Sequence, residues 1–106
     1  MRTIMYVQIG AVMNFIWDDT KNVRNKTKHK ISFETAVLVF EDPRALSGLD
    51  RIVEGEERWQ TLGLIAGVVV LLVAHTWFEE DDEEWIRVIS ARKATRRERE
   101  LYEQGE

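Results

Sequence analysis

The stretch Arg87-Val88-Ile89-Ser90-Ala91-Arg92-Lys93-Ala94-Thr95-Arg96-Arg97-Glu98-Arg99 changes character halfway along. Val88 and Ile89 supply the β-branched bulk of a strand beside Arg87 and Ser90. Thr95 to Glu98 then has the Thr-x-x-Glu spacing in which a hydroxyl and a carboxylate reciprocally satisfy free amides of a first helical turn. Arg92 and Lys93 fall between, where a strand ends and a capped helix begins. The stretch holds six of the chain's fifteen Lys and Arg residues and one acid, in a protein of net charge −4. The plain alternative is a solvated, basic helix start.

Composition bounds the rest. A chain of 106 residues is one domain with room for a core of its own. Hydrophobic residues at 44% and four tryptophans argue against disorder. The lack of cysteine excludes disulfides and thiolate metal sites, and two histidines, His29 and His75, make a structural zinc site a poor expectation. No cofactor or metal is expected. The charge is unevenly placed. Lys21 to Lys30 carries five cations and no acid, whereas Glu79 to Glu84 is an unbroken acidic run. A basic face can therefore coexist with a negative total.

Two apolar segments resemble membrane signals without meeting the requirement. Met1 to Met13 has no small-residue cleavage pattern before Asn14. Leu62 to Phe78 is free of formal charge, but it is broken by Gly63 and Gly67 and falls short of the roughly 20 residues a spanning helix needs. Paired buried strands and a cytoplasmic location are the expectation.

Taken in order, Asn14 to Trp17 reads as a short strand ended by Asp18 and Asp19. One of these, or Thr20, caps a polar surface helix through about His29. Ser32 caps a second helix, in which Phe33, Ala36, Val37 and Phe40 follow at i, i+3, i+4 and i+7. Asp42-Pro43 ends it. Ala45 to Ser47 is a candidate edge strand and Leu49 to Gly55 a loop. Glu57 to Ile65 alternates, Ala66-Gly67 turns the chain, and Val68 to Thr76 reads as a strand covered on both faces. Glu79 to Glu84 is an acidic loop and Trp85 to Ala91 the next strand, giving an antiparallel meander. The expected class is α+β: two N-terminal helices packed on an antiparallel sheet, with a C-terminal helix.

The residues Trp17-Asp18, Asn25, Lys28-His29, Ile31-Ser32-Phe33-Glu34, Val39-Phe40, Asp42-Pro43, Glu57-Arg58, Gly63, Arg87-x-Ile89-Ser90-Ala91-Arg92-x-Ala94, Glu98 and Tyr102 resemble the BrnT family in order and spacing. That family comprises toxins of bacterial type II toxin–antitoxin modules, and the resemblance spans Asn14 to about Gln104. It implies a RelE-like fold, ribonuclease activity without a metal, and neutralisation by a BrnA-type antitoxin bearing a ribbon-helix-helix unit, through which operator DNA is a further partner. Two positions depart: Lys30 stands where the family usually has glycine, and His75 near where it often has tyrosine. In family terms Met1 to Val12 is an extension with nothing to match, which makes Met13 a candidate start. The competing reading is an extra edge strand at Tyr6 to Ile9.

Metal-free RNA cleavage needs a base for the 2′-hydroxyl, an acid for the leaving 5′-oxygen and cations for the phosphorane charge. The candidate catalytic residues are Lys28, His29, Glu57, Arg58, Arg87 and Arg92. His29 ends a cationic helix, and its bland role is to face the helix dipole. Arg58, Arg87 and Arg92 can hold phosphate bidentately or pair with nearby acids. Glu57 is a base or an orienter of Arg58. Lys21, Lys26, Lys93, Arg96 and Tyr102 are candidate RNA contacts, although Tyr102 packs equally well against the sheet. His75, ending an apolar strand, reads better as a satisfied core histidine. A different class also fits: a catalytically inert binding module that uses its basic face to hold a protein partner.

Overall fold

A computed structural model describes residues 2–8 and 11–105, with side chains from Met13 onward. Seven strands and three α-helices follow in the order β1 (Arg2–Gln8), β2 (Ala11–Trp17), α1 (Asp19–His29), α2 (Phe33–Ala36), β3 (Leu46–Val53), β4 (Glu56–Ile65), β5 (Val69–His75), β6 (Phe78–Glu80), β7 (Glu83–Lys93) and α3 (Arg96–Gln104). The sheet order is β1-β2-β7-β5-β4-β3, with β6 paired to β7. The class is α+β, as the sequence pattern indicates.

The sheet is mixed rather than antiparallel, because β2 runs parallel to β7 from Met13↔Glu84 to Ile16↔Arg87. This pair joins the two ends of the chain across everything between them, which local periodicity cannot register. The expected meander is present in β4, β5 and β7. The expected loop from Leu49 is instead the second half of β3, which runs to Val53 and turns at Glu54-Gly55, both at positive φ. Leu49 and Ile52 are exposed on this edge strand, so apolar alternation was no guide. The acidic run is likewise a hairpin: Asp81 and Asp82 form the two-residue turn at positive φ, and Glu83 and Glu84 open β7. At the N-terminus, β1 pairs along β2, the edge-strand alternative; Ile9 of that reading lies outside the described residues.

The caps fall where expected. Asp18 accepts from the amides of Thr20 and Lys21, Ser32 from that of Thr35, and Thr95 with Glu98 closes a full capping box. The second helix is shorter in α form than its spacing suggests. It tightens into a 3₁₀ turn over Val37–Glu41 that lies against β4. Gly63 permits this contact, since a Cβ there would sit 2.6 Å from Val39 Cβ.

The two sheet faces differ. Phe15, Trp17, Phe33, Val39, Val73 and Ile86 form the main core beneath α1 and α2. On the other face α3, through Tyr102, covers a smaller cluster of Leu62, Val70, Leu72 and Ala94, with Leu64 packed against it. The rest of that second face is open, and it carries the arginines.

Candidate nucleic-acid interface

Alternation along β4 places Glu56, Arg58 and Gln60 on the face that Leu62 shares with α3. In β7 a regular strand would put Arg87 and Arg92 on opposite faces, being five residues apart. The register jumps between His75↔Val88 and Ala74↔Ser90, which leaves Ile89 as an extra residue. This bulge inverts the alternation, so Ile86 and Val88 before it and Ala91 after it all enter the core. Arg87, Ser90 and Arg92 consequently share the open face with Arg58.

Each of these arginines meets an acid. Glu56 Oε1 accepts from Arg87 Nη2 at 2.6 Å and from Arg58 Nε at 3.2 Å. One carboxylate against two guanidiniums leaves an excess of positive charge. Arg92 makes a fork to Glu98, at 2.8 and 2.9 Å, and the Thr95 amide adds a third bond to that carboxylate. The Arg92 hydrogen bonds hold the Glu98 carboxyl down at about 2, and the same contact raises Arg92. Thr76 fixes the backbone of Arg87, its N–H donating to the Arg87 carbonyl at 3.0 Å and its hydroxyl accepting from the Arg87 amide at 3.2 Å.

A second group lies on α1. Lys21, Arg24, Lys28 and His29 line a groove of about 330 Å³ whose other wall is Ile89 and Ser90 at the bulge. Positions i, i+3, i+4, i+7 and i+8 give Lys21, Arg24, Asn25, Lys28 and His29 one helix face. Lys21, Arg24 and Lys28 are exposed and His29 half-buried. Among the described residues no carboxylate forms an ion pair with any of the three cations. The β7 segment from Arg87 to Lys93 is thus shared: its arginines look onto the open sheet and its bulge walls the α1 groove.

The remaining candidates separate. Glu57 falls on the opposite side of β4 from Arg58 by strand alternation, so the carboxylate that orients Arg58 is Glu56. Tyr102 is buried and its hydroxyl donates to Asp42, the packed arrangement that was the other side of its sequence reading. Lys26 is exposed but, at roughly 100° per residue, turns well away from the groove. Lys93 is exposed at the end of β7, and Arg96 pairs with Glu100 at 3.4 Å. His75 is fully buried between Phe40 and Trp77. Its Nδ1–H donates to the Thr76 carbonyl and its Nε2 accepts from the Thr61 hydroxyl, with burial pushing it down to about 4. It is a neutral core residue.

Glu56 and Arg24 escaped the sequence reading for different reasons. Glu56 adjoins Glu57 and only alternation from Arg58 tells them apart, a signal that was available. Arg24 needed the three-residue helical offsets from Lys21 and Lys28 to be taken as a face. Among the described residues no three His, Asp or Glu side chains are gathered to hold a metal ion.

Comparison with curated protein sequences gives no match. The family profile described as "Ribonuclease toxin, BrnT, of type II toxin-antitoxin system" matches residues 17–98. Among solved structures, the Brucella abortus ribonuclease toxin BrnT matches at 28% identity and a TM-score of 0.60, over 77% of this chain and 96% of that one. β1 and most of β2 precede the family match, whereas the bulged strand and the α1 groove lie inside it. The chain with this cationic groove and arginine-bearing sheet belongs to the BrnT family of ribonuclease toxins of type II toxin–antitoxin systems.

Proposed function

We propose that the chain is a metal-independent endoribonuclease of RelE-like type that arrests translation in the bacterial cytoplasm. A BrnA-type ribbon-helix-helix antitoxin silences it and, in the complex, contacts operator DNA. The observation that carries this reading is the α1 groove: three cations and a histidine that, among the described residues, no carboxylate holds in an ion pair, set against the same β7 segment that presents Arg87 and Arg92.

In this reading Lys21, Arg24 and Lys28 hold the RNA backbone, with Lys93 and Arg96 extending the track past β7. The 2′-oxygen attacks the adjacent phosphorus and the P–O5′ bond breaks, leaving a 2′,3′-cyclic phosphate and a 5′-hydroxyl. His29 exchanges a proton with the reacting oxygens and Lys28 lies beside it. Arg58, Arg87 and Arg92 neutralise the charge that develops on the phosphorane, and Glu56 and Glu98 hold their forks in place.

The acid pairing of all three arginines favours one other reading, an inert module whose arginines stiffen the sheet and whose groove grips a protein. Induction of the chain in a bacterial host, alone and beside a small ribbon-helix-helix protein, separates the two. A ribonuclease toxin stops growth and fragments RNA with cyclic-phosphate ends, and the partner restores both. Unimpaired growth with intact RNA would favour the inert module.

A further inference from the structure

α1 is an unusual helix to find packed on a sheet. Its single buried residue is Asn25, and Val23, its only aliphatic side chain, is 67% exposed. A helix with no apolar stripe has little hydrophobic reason to keep one rotation or one register against its neighbour. What it has instead is a carboxamide.

β2 pairs with β7 only as far as Ile16↔Arg87, so beyond that point the β7 edge has lost its neighbouring strand. Ala91 lies on this stretch and pairs with Val73 of β5 on its other side. The Ala91 amide donates to Asn25 Oδ1 at 3.1 Å, and Asn25 Nδ2 donates to the Ala91 carbonyl at 2.8 Å. Such a two-way exchange with one residue is what a neighbouring strand makes in a ladder. Asn25 Nδ2 also donates to the Ile31 carbonyl at 2.9 Å, which ties down the chain just after the helix. One side chain thus stands in for a strand and sets where α1 lies.

We propose that Asn25 is the positioning residue of the groove. It fixes the rotation of α1 so that Lys21, Lys28 and His29, one turn to either side of it, face Ile89 and Ser90 at the bulge. The proposal rests on the groove being the RNA-binding surface. Asn25 borders the groove, but its carboxamide is taken up by Ala91 and Ile31, so it acts through the side chains it aligns.

The probe is a short single-stranded RNA methylated at its 2′-hydroxyls, so that it binds without being cut. Its affinity is measured against salt for the full chain, for Asn25→Asp, and for a triple variant carrying Lys21→Ala, Arg24→Ala and Lys28→Ala. The carboxylate of Asn25→Asp keeps an acceptor for the Ala91 amide but loses both donations to carbonyls. The triple variant is expected to lower the slope of log affinity against log salt by about 2, from three phosphate contacts at roughly 0.7 each. Asn25→Asp is expected to lower it by a similar amount with all cations still present. Simple destabilisation would reduce affinity through the folded fraction and leave the slope alone, and that result would overturn the proposal. An unchanged slope in the triple variant would overturn the groove itself, while loss in the triple but not in Asn25→Asp would remove Asn25 alone. In the unmodified protein the RNA should shift the Asn25 carboxamide and Ala91 amide resonances together. Resonances unmoved at saturating RNA would overturn the proposal even where Asn25→Asp fails to fold.

Discussion

The open sheet face and the α1 groove hold comparable numbers of cations in contrasting states. Arg58, Arg87 and Arg92 are each anchored by an acid, at 2.6 to 3.2 Å, and sit a third or so exposed. Lys21, Arg24 and Lys28 are exposed, and no ion pair holds them among the described residues. Anchored guanidiniums have given up rotamer freedom before any ligand arrives, so they suit a charge that exists only in a transition state. Mobile cations with their counterions still to release suit a polyanion in its ground state. In the proposed reading the β7 segment serves both: the sheet arginines act on the rate, the α1 cations Lys21, Arg24 and Lys28 act on the grip, and His29 supplies the proton transfer.

The largest expected effect tests the sheet. Arg87→Ala should lower single-turnover RNA cleavage by roughly 10²–10³, the usual loss for one donor to a developing anion. Its salt slope for RNA binding should hardly move. A lost slope with an unchanged rate would reverse the division. Arg92→Ala is a less clean probe, because it also frees Glu98 from the fork that steadies the start of α3.

The triple α1 variant is the converse test. KM for RNA should rise and the salt slope fall while kcat at saturating RNA is largely kept. A collapse of kcat with KM preserved would place these cations in the chemistry instead.

A third measurement concerns the network beneath the sheet arginines, where His75 supports Thr76 and Thr76 clamps Arg87. Burial lowers His75 from 6.5 to about 4, so the folded state binds a proton less readily than the unfolded chain. The neutral histidine's contribution is complete above about pH 6.5 and is lost as pH falls towards 4. That amounts to roughly 3 kcal/mol across the window. His75→Gln should flatten the pH dependence of unfolding between those limits. The Glu98 pairing is lost in a lower window, between 4.5 and about 2, so the two effects separate.

The smallest effect belongs to the end of α1. Lys30 caps the helix at φ 63°, a left-handed conformation that glycine adopts without strain. Lys30→Gly should stabilise the fold by about 1 kcal/mol, read by chemical denaturation, with RNA cleavage unchanged. A destabilised Lys30→Gly would mean that the local bond from Lys30 Nζ to the Thr27 carbonyl outweighs the strain.

Much of this organisation was legible in residue order. The Thr95–Glu98 capping box, the polar first helix, the meander and the buried His75 each follow from a local rule, and each is where that rule puts it. Three features were not legible. The parallel β2–β7 pair joins segments some seventy residues apart, beyond the range of periodicity. The Ile89 bulge is one residue in excess within a strand of ordinary composition, yet it decides that Arg87 and Arg92 share a face. Glu56 and Glu57 differ only in parity; the sequence reading offered Glu57 as base or orienter of Arg58, and the carboxylate that bonds Arg58 is Glu56.

The most direct test of the central claim is a cleavage assay of purified His29→Asn on single-stranded RNA, with its fold checked by circular dichroism and its binding by the methylated RNA. If the α1 groove is where RNA is cut, the variant binds as the unmodified chain does, with the same salt slope, and yields little or no cyclic-phosphate product. A folded His29→Asn protein that cuts at the unmodified rate would contradict the account, and would move the chemistry away from the groove between α1 and β7.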